Sequence, residues 1–354
     1  MKVRDIRYWV IIAVGLWTYS SCIDEITLDI DNDAQFVIVN GLVTDEPGEY
    51  TITVDNSPII GVGNDNIVVP ISGASVQLVD DQNSSVTFVE SSEEAGTYTA
   101  NVTNVVPGRS YHIEVQLPNG VMIESEPQQL PDNQVLIDNI DWNIVDVEFI
   151  NESGNVVGRE FVEIYANTVP TDEEAFVRWR VTGEYDIVEK FFGILNPRHC
   201  YVKENIDFNN VLIADTRDFA DGAIIQEPIL KLPMDSRFNI LYLFNVSQFT
   251  ISSREHEYWS RIQQLINVEG TLFDPPPGVL RGNLFNVSDP DDNIQGYFSV
   301  ARQSFERRFV NIAEKGFFAD TDCQSRPNAN NPEKCVDCTT INRSTLVKPD
   351  YWLF

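Results

Sequence analysis

Tyr50-Thr51-Ile52-Thr53-Val54 alternates apolar and hydroxyl side chains, so Tyr50, Ile52 and Val54 share one face of an extended strand. A helix would scatter those three side chains around its circumference. The same period of two continues on both sides. Upstream, Phe36–Val39 is an unbroken apolar run, as expected of a central strand. Downstream, Ala74, Val76 and Leu78 share a face, and Val86–Val89 and Tyr98–Val102 follow. Then come Tyr111, Ile113 and Val115, and last Val121 with Ile123. Turn chemistry separates these runs at Asp80-Asp81-Gln82-Asn83, Ala95-Gly96, Pro107-Gly108 and Pro118-Asn119-Gly120. Short strands at this spacing predict an antiparallel β-sandwich, immunoglobulin-like or transthyretin-like, over residues 36–130. No Cys-Trp-Cys pattern accompanies it, which excludes an antibody-type domain. His112 falls opposite Tyr111 and Ile113 and is expected on the solvent face.

The polar stretch Gln128-Gln129-Leu130-Pro131-Asp132-Asn133 breaks the pattern, and a second β-rich domain is expected over 134–354. Phe161–Val169 reads as a strand. Val177, Trp179, Val181, Tyr185 and Ile187 alternate on one face, as do Phe238, Ile240, Tyr242, Phe244 and Val246. One main helix is predicted over Ser252–Asn267. Ser252 with Glu255 makes a capping box and Gly270 supplies a stop. Tyr258, Ile262, Leu265 and Ile266 form an apolar stripe suited to packing on the sheet.

The first 35 residues follow other rules. Lys2, Arg4 and Arg7 precede the apolar run Tyr8–Trp17, and small hydroxyl residues then lead to Cys22. This is the order of a secretory signal, expected over 1–21. Its apolar run is shorter than the roughly 18 residues that span a bilayer as a helix. A cysteine just after the cleavage site is a natural acceptor for a thioether-linked lipid, although Tyr19 stands where such signals usually have Leu. An acidic tether is expected over 22–35. Within it, Asp29-Ile30-Asp31-Asn32-Asp33 opens like a calcium loop. Ala34 and Asn40 replace the glycine and bidentate acid that such a loop needs, so no metal or other cofactor is expected.

The formal net charge of −30 sets the class of partner. Beyond the signal, 21 basic residues face 53 acidic ones, scattered rather than blocked. Such a surface repels nucleic acid and anionic lipid head groups, so no nucleic-acid partner is expected. Contact with a membrane is expected only through the lipid on Cys22.

Four further cysteines remain: Cys200, Cys323, Cys335 and Cys338. An even number in an exported chain favours two disulfides, with three possible connectivities. A redox role for Cys335–Cys338 would need a βαβ context, which this region lacks. A zinc site would need closely spaced ligand pairs, and Cys200 is remote. Asp320–Cys338, with Arg326-Pro-Asn-Ala-Asn-Asn-Pro-Glu333 inside it, holds too little apolar surface to order itself. At least one bridge is expected to tie Cys200 to this segment.

Catalytic motifs are scarce. Gly61-Val62-Gly63 lacks the third glycine of a dinucleotide loop, and His256-Glu257 lacks the second histidine of a zincin. Only three histidines occur, His112, His199 and His256, which limits triads and metal sites. No catalytic residue is nominated.

The most distinctive stretches are Phe273-Asp274-Pro275-Pro276-Pro277, Arg281-Gly282-Asn283 and Gly296-Tyr297-Phe298. With them go Cys335-Val336-Asp337-Cys338, Lys348-Pro349-Asp350-Tyr351-Trp352, and Val39-Asn40-Gly41-Leu42-Val43-Thr44-Asp45 near the start. Together they resemble an uncharacterised lipoprotein family of Bacteroidota, catalogued as a domain of unknown function and typically encoded beside TonB-dependent outer-membrane receptors. The resemblance implies an outer-membrane lipoprotein, lipid-anchored and facing the cell exterior. It further implies a non-enzymatic accessory of a TonB-dependent transporter in nutrient capture. A glycan or peptide hydrolase using two carboxylates, or a structural or adhesive envelope protein, are the alternatives. The cysteine-pinned loops beside Pro275, Pro276 and Pro277 are the expected docking surface.

Overall fold

In a computed structural model, the structure describes residues 36–57, 68–150, 153–206, 210–266 and 280–353. Cys22 with the signal and tether, Gly270, and Pro275, Pro276 and Pro277 lie outside the described residues. What is described is mainly β. The first strands are β1 (Val37–Thr44), β2 (Gly48–Asn56), β3 (Val69–Pro70), β4 (Ser75–Asp80), β5 (Ser85–Glu90) and β6 (Thr97–Val102). Next come β7 (Ser110–Gln116), β8 (Met122–Ser125), β9 (Gln128–Gln129), β10 (Ile137–Ile150), β11 (Val156–Thr168) and β12 (Phe176–Val188). The chain continues through β13 (His199–Asn205), β14 (Leu212–Asp215), β15 (Glu227–Pro233), β16 (Tyr242–Ile251) and helix α1 (Ser253–Ile266). It closes with β17 (Leu284–Asn286), β18 (Gln295–Val310) and β19 (Ser344–Thr345).

Alternation places the first core where it was expected. Val39, Ile52, Val54, Val76, Ile113, Val115 and Ile123 have no exposed surface. Each such side chain contributes about 1.5–3 kcal/mol relative to an exposed one. The strands run β17-β8-β7-β4-β5-β6-β2-β1 and fold back around this core in a sandwich-like arrangement. His112 is half-exposed beside Glu114.

A second core lies between two sheets. One continues the path as β18-β16-β12-β13-β19, and the other is the three-stranded β10-β11-β15. Val177, Trp179, Val181, Tyr242, Phe244 and Val246 from the first meet Ile140, Trp142, Val162, Ile164 and Leu230 from the second. The polar break at 128–133 falls between the two cores along the chain. The chain later returns, however. Leu284, Ile294, Phe298 and Val300 belong to the first core, and Val310 at the far end of β18 belongs to the second.

Close backbone approach makes that return possible. Gly296 has φ of 99°, and a Cβ there would lie 2.0 Å from the Val39 carbonyl oxygen. A Cβ on Gly282 would lie 1.7 Å from the Gly296 carbonyl oxygen. Three backbone segments thus stack with no room for a methyl group. Beside them the buried Asn283 uses its side chain as a strand neighbour. Its Nδ2 donates to the Phe298 carbonyl at 2.7 Å, and its Oδ1 accepts from the Phe298 N–H at 2.9 Å. Arg281-Gly282-Asn283 and Gly296-Tyr297-Phe298 are therefore two halves of one joint, which explains why both motifs stand out in the sequence.

Three readings need correction. Phe238 lies in a 3-10 turn, Ser236–Phe238, and Ile240 is exposed, so the period-two run begins only at Tyr242. The Ser252 hydroxyl does cap α1, accepting from the Glu255 N–H at 3.2 Å. The Glu255 carboxylate, however, turns inward and is buried against the Trp259 indole N–H, at 3.0 Å, and the Ser299 hydroxyl. Of the expected apolar stripe only Tyr258 is buried, while Leu265 and Ile266 are exposed.

Gly296→Ala and Gly282→Ala should each destabilise the protein by about 2–3 kcal/mol, because the added methyl group meets backbone rather than a flexible side chain. Gly158→Ala, with open space around it, should change little. Urea midpoints check this. Equal midpoints for all three variants would contradict the stacked-backbone account.

A candidate binding cleft held by two disulfides

Two bridges shape the C-terminal region. Cys200, on β13, joins Cys338, and Cys323 joins Cys335 only 12 residues away. Cys335 and Cys338 therefore point to different partners rather than to each other. Closing a loop of about that length contributes about 3 kcal/mol in the chain-entropy account. Polar contacts continue the clamp. The buried Glu189 accepts from the Cys338 N–H at 3.2 Å and from the Arg198 N–H at 3.0 Å, and the Arg198 guanidinium bridges Glu189 and Asp337. Burial works to raise the pKa of Glu189, but the Arg198 and Cys338 hydrogen bonds win and hold it below the ordinary value. At the chain's end, Trp352 is buried edge-on against Tyr201 and Phe309, and the Tyr351 hydroxyl donates to Glu184 at 2.8 Å. Most of Asp320–Cys338 has little core of its own, so covalent and ionic ties position it.

These ties border a cleft of about 850 Å³. One wall is the β10–β11 hairpin, through Asp146, Gly158, Arg159 and Glu160. The opposite wall is the pinned segment, through Phe318, Asp320, Asp322 and Lys334. Tyr185, Met234, Asp235 and Arg237 lie between them. A recess of about 340 Å³ continues from Tyr185 past Asp186 to Cys323.

The charges on the floor are already matched. Arg237 donates through Nε and Nη2 to Asp235, at 2.9 and 2.8 Å, and through Nη1 to Glu204 at 2.8 Å. Burial works to lower the Arg237 pKa, but the Asp235 hydrogen bond and the Glu204 charge keep it above the ordinary value. The Tyr242 hydroxyl also donates to Glu204. Burial and the charge of Glu204 push Tyr185 up to about 12, so its hydroxyl keeps its proton at neutral pH. Asp322 and Lys334 each sit one residue before a half-cystine, so the Cys323–Cys335 bridge brings them together. Their ion pair spans 2.6 Å, and the Ser236 hydroxyl donates to the same carboxylate oxygen at 2.6 Å. In the recess the Asp186 carboxylate meets the His199 imidazole at 2.8 Å and accepts from the Leu241 N–H at 3.2 Å.

Sequence reasoning placed the cysteines here but missed the floor. A signal existed: Asp-x-Arg occurs at Asp235–Arg237 and again at Asp215–Arg217. In both, the carboxylate caps a 3-10 turn and grips the guanidinium two residues on. Among the described residues no group of three or more His, Cys, Asp and Glu is placed to hold a metal ion.

A family model described as "Domain of unknown function (DUF4249)" matches residues 23–307. The chain belongs to this family. No curated protein matches it. The DUF4249 match takes in the first core, most of the second, the Arg281-Gly282-Asn283 and Gly296-Tyr297-Phe298 joint, and the hairpin wall of the cleft. It stops before Cys323. Cys335–Cys338 and Lys348–Trp352, both among the resembling residues, lie beyond the matched span, as does the pinned wall.

The Asp322 carboxyl is held below its ordinary range, first by the Lys334 hydrogen bond and then by Ser236. A depressed acid contributes stability that is present above the unfolded carboxylate range and lost as pH falls through the folded value. Lys334→Met should therefore flatten the fall in urea midpoint below about pH 5 while lowering the midpoint at pH 7. A profile that keeps its wild-type slope would show that this pair does not hold the wall.

Proposed function

We propose that this protein is a surface-exposed, lipid-anchored outer-membrane protein and a non-enzymatic accessory of a TonB-dependent transporter, capturing a nutrient for uptake. The observation that carries the reading is the cleft. One wall is held by two disulfides and by ion pairs, and the other is a hairpin grown from the second core, so the cleft is shaped before any ligand arrives. Preorganisation of this kind lowers the ordering cost of binding. The lipid on Cys22 would hold the cleft near the membrane surface, and the acidic tether would let it sample the space above. Membership of the DUF4249 family fits this setting through the resemblance described above.

The chemistry of the cleft favours capture over the hydrolase alternative. A general acid needs a carboxyl whose pKa is raised toward neutrality. Asp322 is shifted the other way by Lys334, and Asp235 is occupied by Arg237. Asp186 is raised by burial, yet both its oxygens are engaged, by His199 and by the Leu241 N–H.

Tagged protein purified from detergent-solubilised outer membrane should bring a β-barrel transporter with it. Cys22→Ser should move the protein to the soluble fraction and lose that partner. Purification without any barrel, or turnover of a glycan or peptide panel abolished by a single carboxylate substitution, would reject the reading.

A further inference from the structure

The wall of the cleft formed by β11 ends in an open sheet edge. β15 pairs with β11 only over Phe161–Ala166, and β15 ends at Pro233. The last bond is from the Met234 N–H to the Glu160 carbonyl, at 2.9 Å. The chain then turns away into the Ser236–Phe238 turn. Backbone groups along a strand alternate sides with a period of two. The N–H and C=O of Gly158 therefore point to the same side as those of Glu160, into the cleft that Gly158 lines. Among the described residues no strand pairs with β11 there except β10, on the opposite edge. A free edge of this kind is a template for an added strand. The cleft of about 850 Å³ that Gly158 lines leaves space for one.

Charge selects what would be added. The cleft is lined by Asp146, Glu160, Asp235, Asp320 and Asp322 against Arg159, Arg237 and Lys334. Arg237 and Lys334 are consumed by Asp235, Glu204 and Asp322, which leaves Asp146, Glu160 and Asp320 facing Arg159. A ligand bearing carboxylates would be repelled and one bearing ammonium or guanidinium groups attracted, the more so on a chain of net charge −30. Phe318, 81% exposed across the cleft, and Met234 offer apolar surface to side chains on the other face of the incoming strand.

We propose that the cleft takes an extended oligopeptide rich in Lys or Arg, added as a strand to the free edge of β11 at Gly158. The proposal rests on the capture reading above and names its ligand class. Strand addition makes a demand that simple charge attraction does not: only alternate residues of the peptide direct their N–H toward the protein.

The test uses the full protein and a fluorescent, end-blocked hexapeptide of alternating lysine and valine, with versions N-methylated at single positions. Methylation at one parity should weaken binding by about tenfold, the loss expected for one or two hydrogen bonds, and at the other parity by little. Gly158→Pro removes the N–H aimed into the cleft and keeps every charge, so it should cause a similar loss. That N–H does not pair with β10, so the variant should retain its urea midpoint. A Glu-for-Lys peptide should not bind. Equal binding by all N-methylated peptides, by the acidic peptide, or by a folded Gly158→Pro variant overturns the proposal. A transporter that co-purifies while no hexapeptide binds rejects the peptide ligand alone. Peptide binding of the expected parity without a co-purifying barrel rejects the accessory role alone.

Discussion

The parallel pairing of β1 with the first half of β18 is the contact on which the other elements depend. Over Ile38–Thr44 and Gln295–Ala301 the two strands run side by side, and every other pairing in the long sheet path is antiparallel. A parallel pair needs a long crossover, and here most of the chain serves as one. From Arg302 onward, the second half of β18 pairs with β16. One strand of 16 residues is thus the edge of one core and the middle of the next. Gly282 and Gly296 are the concession this demands. Their missing methyl groups let Gly296 pass against the Val39 carbonyl and Gly282 against the Gly296 carbonyl.

The cleft follows from that joint. β18 fixes β16, β16 fixes β12, and β12 carries Tyr185 and Asp186 to the cleft and its recess. Against β12 lies β13, whose Cys200 reaches Cys338 and so draws in the C-terminal segment. The opposite wall grows out of the second core, where Ile140, Trp142, Val162 and Ile164 bury the base of the β10–β11 hairpin. Beyond the reach of β15 the same hairpin has no third strand among the described residues, and its edge is the surface proposed to accept one. Rigidity on the cysteine side and an open edge on the hairpin side are the two properties a strand-accepting cleft requires.

Much of this was legible in order, and the misses have physical reasons. Strict alternation announced β2, β4 and β7, because each has one face in the first core and one outside it. It found Tyr242, Phe244 and Val246 of β16 but overran the start of the strand, where Leu241, just before it, and Leu243 are buried on the second face as well, against Tyr201 and Trp352. A strand buried on both faces has no alternation at its boundary, so Phe238 and Ile240 were drawn into it. β10 was missed although it alternates: Ile140, Trp142 and Ile144 face the second core, and beyond Ile144 the apolar set shifts to Val145, Val147 and the exposed Phe149 as the strand leaves it. The cysteine count suggested two bridges, but only geometry could show that Cys335 and Cys338 part company. The floor of the cleft was legible only in its local half: the Asp-x-Arg at 235–237 could be read, whereas Glu204 joins it through tertiary contact from β13.

The central claim is that β18 welds the two cores into one folding unit, and a single urea titration tests it. Of the six tryptophans, Trp142 and Trp179 pack in the second core, Trp259 and Trp352 lie on elements after residue 134, and Trp9 and Trp17 fall in the expected signal, so the fluorescence of the processed protein reports the second half of the chain. Amide exchange at Val76, Ile113 and Val115, measured on the same samples, reports the first. The account predicts coincident midpoints for the two probes, shifted together by Gly296→Ala. A sandwich that unfolds at its own midpoint while the fluorescence stays native would contradict it.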